Sequence, residues 1–279
     1  MKMLYLPIYI LKMKSFIQLF FGFSIMIHFG CGKINLLSLE DERQLGEQAK
    51  VEIASNPQEF PLLSKASNPQ AYAFIEGVAT DILNSGQVQN KDNFQWEIYI
   101  IKRDDVLNAF CTPGGKIYFY TGLMKYLDNS SAVAGVMGHE IAHADRRHSG
   151  KQLTSQLGLQ FLLQIVAGTS GQDIAQMVGV LSGLGSLKFG RDHETEADEY
   201  SVKYLCPTRY QTDGAHYFFK KLIDEGQGSQ SGPTFLSTHP DPGDRVANIQ
   251  NQAAASSGCV SKTENYSNDT KYLQLRNSL

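Results

Sequence analysis

Residues 139–143 read His-Glu-Ile-Ala-His, and this spacing constrains the fold more than any other stretch. On an α-helix, positions four apart lie one above the other on a single face, so both imidazoles can reach one metal ion. Glu140 then lies beside that ion, where it can hold a water without having to bind the metal. A bare match can also be a solvated helix with two scattered histidines, so the context decides.

That context is a second motif downstream, Glu194-Thr195-Glu196-Ala197-Asp198. Glu194 and Asp198 are again four apart and share one face of a helix. A catalytic zinc takes three protein ligands and keeps one position open for water, and His139, His143 and Glu194 make up that set. A metal-bound imidazole also needs its second nitrogen fixed by an acceptor, and Asp198, one turn beyond Glu194, is the candidate. The bland alternative is an acidic helix start, Asp192 to Glu199, that merely suits the helix dipole. Pairing with the first motif favours the metal. Glu196 and His193 point away from the Glu194–Asp198 face and are expected to be solvated helix positions.

Further residues carry a resemblance. Asn108-Ala109-Phe110, Pro113-Gly114-Gly115, the HEIAH motif, Arg191 with Glu194, Ala197 and Asp198, and Thr238-His239-Pro240 with Arg245 occur in one order. This arrangement resembles the gluzincin zinc metallopeptidases, the family of HtpX, the CAAX prenyl protease and BepA, over roughly residues 39–250. The resemblance implies an α+β fold, a mainly helical zincin-like domain with a small β-sheet beside the zinc helix. It implies one Zn2+ per chain held by His139, His143 and Glu194, with Glu140 as general base. It also places His239 near the metal, as an oxyanion donor or as a structural or inhibitory cap, and gives Arg245 an anchoring salt bridge. Asn108, Ala109, Gly114 and Gly115 would belong to the edge on which an extended substrate lies, a plain β-turn being the alternative. The chain departs from relatives at Ala132-Val133-Ala134 and Cys111-Thr112, and neither change touches a ligand.

Local patterns supply the rest of the organisation. Leu39 to Ala54 and Ala71 to Leu83 read as helices, and Phe94 to Ile100 and Lys116 to Tyr120 as strands that can neighbour each other. Asn129-Ser130 cap the zinc helix, and Ala132, Ala134, Gly135 and Gly138 let it pack closely. Leu153 to Leu187 is apolar and glycine-rich but too broken to span a bilayer, which suggests two helices beside the cleft or a lid. The second zinc helix runs from Arg191 to Cys206, and another from Gly214 to Glu225. A loop follows over 226–232, a rigid turn at His239–Pro242 and a last helix around Arg245 to Gln250. From residue 253 the tail is polar, Ser- and Asn-rich, and expected to be loosely ordered.

The first thirty residues hold Lys2, Lys12 and Lys14, no acid, and an apolar run from Phe16 to Phe29. That is the pattern of an export signal, with a second potential start at Met13. Beyond it, 22 basic residues face 28 acidic ones, a balance of −6, which gives no footing for nucleic acid. Gly30-Cys31 stands where a bacterial lipoprotein is cleaved and acylated, so residues 1–30 are expected to be a signal peptide and Cys31 a lipid anchor facing the periplasm. Residues 31–252 would form the zinc domain and 253–279 the tail. In an oxidising compartment Cys206 and Cys259 can join by a disulfide, three free thiols being the alternative.

The reading is therefore an exported zinc endopeptidase acting on protein or peptide substrates. Its rivals are a zinc-stabilised chaperone or scaffold with latent proteolysis, and a non-peptidase zinc hydrolase. A serine hydrolase is disfavoured, because no G-x-S-x-G elbow is present. The lipid anchor has a direct test. Cys31→Ser is expected to move the exported protein from the membrane fraction to the soluble fraction, and unchanged membrane attachment would count against acylation.

Overall fold

The first helix begins where the sequence supplies a capping box. Ser38 Oγ accepts from the Asp41 amide at 3.1 Å, and the Asp41 carboxylate accepts from the Ser38 amide at 2.7 Å. Two amides that a helix start leaves open are thereby satisfied. Helices α1 (Leu39–Ser55) and α2 (Pro69–Leu83) begin and end within two residues of their expected bounds. The computed structural model describes residues 34–157, 188–226, 234–239, 242–260, 262 and 269–279. The export signal, Cys31, most of the apolar segment ending at residue 187, nearly all of the 226–232 loop, Pro240 and Asp241 lie outside the described residues. No described helix is long and apolar enough to cross a membrane.

The two expected strands do neighbour each other. β1 (Glu97–Ile101) runs parallel to β3 (Lys116–Tyr120), in register from Glu97↔Lys116 to Ile101↔Tyr120. On the other side of β3 lies β2 (Ala109–Cys111), antiparallel, with Phe110 opposite Tyr118. Its three residues were too few to show as a strand in the sequence. Gly114 (φ 76°) and Gly115 (φ 92°) turn the chain from β2 into β3 in a conformation that favours glycine. A Cβ on Gly114 would stand 2.8 Å from the Glu42 carbonyl, and one on Gly115 would stand 3.1 Å from the Trp96 ring. Their close backbone approach is therefore made inside the chain, to α1 and Trp96.

Helix α4 (Ser130–Asp145) carries the HEIAH motif, and Asn129 Oδ1 caps it by accepting from the Ala132 amide at 2.8 Å. All sixteen of its residues are buried, so its neighbours must come close. A Cβ on Gly135 would lie 2.0 Å from the Ala215 amide nitrogen, at the start of α7 (Ala215–Asp224). On the same helix Ser201 of α6 (Arg191–Leu205) donates to the Gly135 carbonyl at 3.0 Å. Between β3 and α4 lies the short helix α3 (Thr121–Tyr126). Arg147, at φ 61°, ends α4 and lets α5 (His148–Leu157) turn away. A non-glycine residue there costs about 1–2 kcal/mol. Buried Glu42 accepts from Arg147 Nε at 3.1 Å and helps to hold that turn.

The C-terminal part differs most from expectation. Helix α8 (Thr234–Thr238) leads to His239, and α9 (Pro242–Ala255) is longer than the residue 245–250 core. The tail is not loose throughout. Cys206 and Cys259 are joined by a disulfide, and Cys111 is a buried free thiol. Helix α10 (Thr270–Ser278) buries Tyr272, whose hydroxyl donates to the Met124 carbonyl, and Asp269 accepts from the Ser130 amide at 2.8 Å. One aromatic in a polar run gives no periodic signal, yet Tyr272, with Leu275, Leu279 and the Asp269 bond, docks the tail on the core beside the start of the zinc helix.

Lys116 is buried at the head of β3, with its Nζ 2.6 Å from Glu47, 2.7 Å from Glu97 and 2.9 Å from the Gln95 carbonyl. Burial alone would raise the Glu97 carboxyl. Hydrogen bonds from Lys116, Lys50 and the Tyr99 hydroxyl outweigh it and lower the group from 4.5 to about 2. Its contribution to stability is full above pH 4.5 and drains away as pH falls towards 2. With solvent screening of this partly exposed carboxylate, that amounts to about 1–2 kcal/mol. Urea melts of wild type and Glu97→Gln should differ by that amount at pH 6 and converge near pH 2. A constant difference across this range would show that the ion cluster is not the cause.

Candidate metal centre

Three helices and one turn bring the site together. Helix α4 projects His139, Glu140 and His143 inward, α6 brings Glu194 and Asp198, the residue after α8 is His239, and α9 supplies Arg245. All seven are buried, with Glu140 and His143 fully so. The α4 face is presented because its small residues admit α6 and α7 closely, which leaves room for the imidazoles only between the helices.

Ligand-type atoms of His139, His143, Glu194 and His239 all lie within 4.8 Å of one another. His139 Nε2 is 3.0 Å from His143 Nε2 and 3.3 Å from His239 Nδ1. Glu194 stands 3.4 Å from His143, 3.5 Å from His139 and 3.0 Å from His239. Tetrahedral ligands about 2.0–2.1 Å from a zinc ion are separated from one another by roughly 3.3 Å. The donor set therefore fits zinc in spacing as well as in chemistry.

Charge points the same way. When the imidazoles are neutral, as metal ligation requires, the buried carboxylates of Glu140, Glu194 and Asp198 face a single guanidinium, Arg245, which leaves two negative charges for a bound ion to offset. A divalent cation removes that excess. Both Glu140 oxygens are also buried without a hydrogen-bond partner, an arrangement that is costly unless something in the site uses them.

The remaining groups orient this set. Asp198 Oδ1 stands 2.9 Å from His139 Nδ1, so the carboxylate holds the proton there and leaves Nε2 facing the cluster. Arg245 clamps the same carboxylate through Nε at 2.7 Å and Nη2 at 2.6 Å, reaches Glu194 at 2.9 Å, and stacks 4.0 Å over Phe219. Phe235 stacks on His239 at 4.3 Å and Phe189 on His143 at 4.0 Å. Burial holds His143 well below the ordinary imidazole range. Burial would lower His139 too, but hydrogen bonds to Asp198 and Glu194 lift it to about 9. Burial raises Glu140 above the usual carboxylate range. For Glu194 the opposing pull of His239 and Arg245 outweighs burial and holds it low.

The other expected residues are placed as follows. Asn108 and Ala109 are buried where the chain enters β2, and the Asn108 side-chain oxygen has no partner. Gly114 and Gly115 pack on α1 and Trp96, and their turn also contacts the zinc helix. Glu196 is not simply solvated. It pairs with Arg146 at 2.8 Å and with His148 at 3.0 Å. His148 was missed because the α4–α5 turn, and not helical spacing, carries it back to the site.

Comparison with known proteins follows from this geometry. Peptidase family M48 matches residues 65–253, more than half of the chain, and the chain belongs to that family. Its members are metallopeptidases that use zinc, as the resemblance implied. The chain is 26% identical to the beta-barrel assembly-enhancing protease of Escherichia coli (strain K12) over 227 residues, 78% of this chain and 45% of that protein. It is 26% identical over 220 residues to the mitochondrial metalloendopeptidase OMA1 of Schizosaccharomyces pombe, 78% of this chain and 63% of that one. With OMA1 of Arabidopsis thaliana it shares 32% identity over 149 residues, 53% of this chain and 30% of the relative. The chain thus spans less than two thirds of the length of each.

The orienting role of Asp198 is measurable. Asp198→Asn is expected to weaken zinc about 10–100-fold in competition with a chromophoric chelator. It should also destabilise the metal-free protein, by about 1–3 kcal/mol, since Arg245 loses one of its two charged partners and keeps Glu194. Unchanged zinc affinity would contradict the role.

Proposed function

We propose that this M48 chain is a zinc-dependent endopeptidase of the bacterial cell envelope that cleaves unfolded or misassembled proteins. The observation that carries the proposal is the pairing of a compact ligand cluster with Glu140, whose two carboxylate oxygens are buried without a partner beside it. His139, His143 and Glu194 would hold the metal. Bound zinc supplies Lewis acidity, which acidifies a water and polarises a scissile carbonyl. Glu140 accepts the proton of the attacking water at a carboxylate oxygen and returns it to the leaving amine.

Strand β2 offers a substrate its backbone. The Asn108 carbonyl and the Thr112 amide bond to β3, and the antiparallel alternation then turns the backbone groups of Ala109 and Cys111 to the far side. No other described strand pairs there, so an extended peptide can add at that side. Asn108 and Ala109, with Gly114 and Gly115 at the turn that follows, keep their proposed place along this edge.

His239 is read as a cap. Its Nδ1 lies in the ligand cluster and its Nε2 is 3.6 Å from Glu140, so it takes the place a catalytic water needs. This supports a latent resting state, in keeping with a scaffold or chaperone whose proteolysis is gated. Export is supported by the Cys206–Cys259 disulfide, which suits an oxidising compartment. Attachment through Cys31 and a periplasmic location belong to the same proposal.

Purified protein should contain one zinc and cleave an unfolded protein such as casein. Glu140→Gln is expected to keep the zinc and lose at least about 100-fold in activity. Cleavage that survives this change would remove Glu140 as the base. A capping His239 predicts equal or higher turnover for His239→Ala, whereas an oxyanion donor predicts a loss of about 100–1,000-fold.

A further inference from the structure

Behind His143, on the side away from the ligand cluster, stands a second layer of polar groups that the peptidase reading does not use. His148 Nδ1 is 3.0 Å from His143 Nδ1, and His148 Nε2 is 3.0 Å from Glu196 Oε2. His148 is fully buried. Its ring lies flat against His193, with centroids 4.4 Å apart and planes 14° apart. Glu196 is held in turn by Arg146 Nε at 2.8 Å, and that guanidinium sits 4.4 Å over the Tyr200 ring.

We infer that His148, oriented by Glu196, is the positioning residue for His143: it accepts the His143 Nδ1 proton and so keeps His143 Nε2 bare for the metal. Proton counting on the three groups gives this result. An ionised carboxylate only accepts, so His148 Nε2 carries a proton. One proton lies between the two Nδ1 atoms. If it belonged to His148, His143 Nδ1 would be the acceptor and His143 Nε2 would carry the remaining hydrogen of a neutral ring. That Nε2 is the atom facing His139 and Glu194, and protonated it cannot ligate. With a metal at Nε2, His143 must donate from Nδ1 and His148 must accept.

Each metal imidazole then has its own acceptor from a different element. His139 has the carboxylate of Asp198 on α6, clamped by Arg245. His143 has an imidazole on α5, backed by Glu196 of α6 and Arg146. An imidazole nitrogen is a weaker acceptor than a carboxylate, so His143 is left a less electron-rich ligand than His139. The inference rests on His143 holding the metal through Nε2.

The test uses the full exported chain loaded with zinc, and then His148→Leu and His148→Asn. Leucine removes the acceptor, and the asparagine carbonyl restores one near the Nδ1 position. His148→Leu is expected to weaken zinc 10–100-fold in chelator competition, and His148→Asn to recover to within about threefold of wild type. Equal zinc affinity in the folded leucine variant, or no recovery with asparagine, would overturn the inference. If the leucine variant does not fold, 15N NMR of histidine-labelled wild type decides. His143 should be protonated at Nδ1, His148 bare at Nδ1 and protonated at Nε2, with a scalar coupling across the N–H···N bond. A proton on His148 Nδ1 would overturn the inference. A wild type that binds no zinc at all would instead defeat the peptidase reading on which it rests.

Discussion

Four lone-pair donors held about 3 Å apart in a buried space repel one another unless a cation joins them. Much of this fold serves that convergence of His139, His143, Glu194 and His239. The glycine-bearing face of α4 lets α6 and α7 come close enough to set the distances. Arg245 offsets part of the carboxylate charge, and aromatic rings shut out the water that would otherwise screen it. Neutral ligating imidazoles leave the buried carboxylate charge for a divalent ion to offset, so metal binding and the stability of this part of the fold are linked.

Around that centre the sheet and α1 are tied by buried Lys116 and by the glycine turn between β2 and β3. The Cys206–Cys259 disulfide ties the end of α6 to the chain after α9, and Tyr272 fastens the tail to Phe74 of α2 and Met124 of α3. The edge strand β2 lies next to α4, which brings the edge of the sheet and the candidate metal ligands into one region. His239 directly follows α8 and Arg245 lies in α9, so neighbouring elements supply a candidate ligand and its counter-charge.

Much of this was legible in the sequence, for physical reasons. Residues 139–143 and 194–198 lie on single helices, where fixed spacing becomes fixed geometry, so the ligand faces could be read directly. The same holds for the Asn129 cap and for β3, a run of strand-forming residues with no competing signal. What escaped reading depends on the tertiary path. His148 reaches His143 only because Arg147 breaks the helix in a left-handed conformation, and β2 is too short for its alternation to register. Gly114 and Gly115 signalled a close approach, but nothing local said that its partners would be α1 and Trp96. The described part of the tail is held by Tyr272, the Asp269–Ser130 hydrogen bond and the disulfide, none of which is a periodic pattern.

The central claim, that these side chains converge on one zinc, is tested most directly by X-ray absorption at the zinc edge of the purified, metal-loaded protein. The account predicts only nitrogen and oxygen neighbours at about 2.0–2.1 Å, with the multiple scattering of imidazole rings. It also predicts that the signal is lost when His139 and His143 are both replaced by alanine. A sulfur neighbour at about 2.3 Å, which would implicate Cys111, or a spectrum unchanged by those replacements, would contradict it.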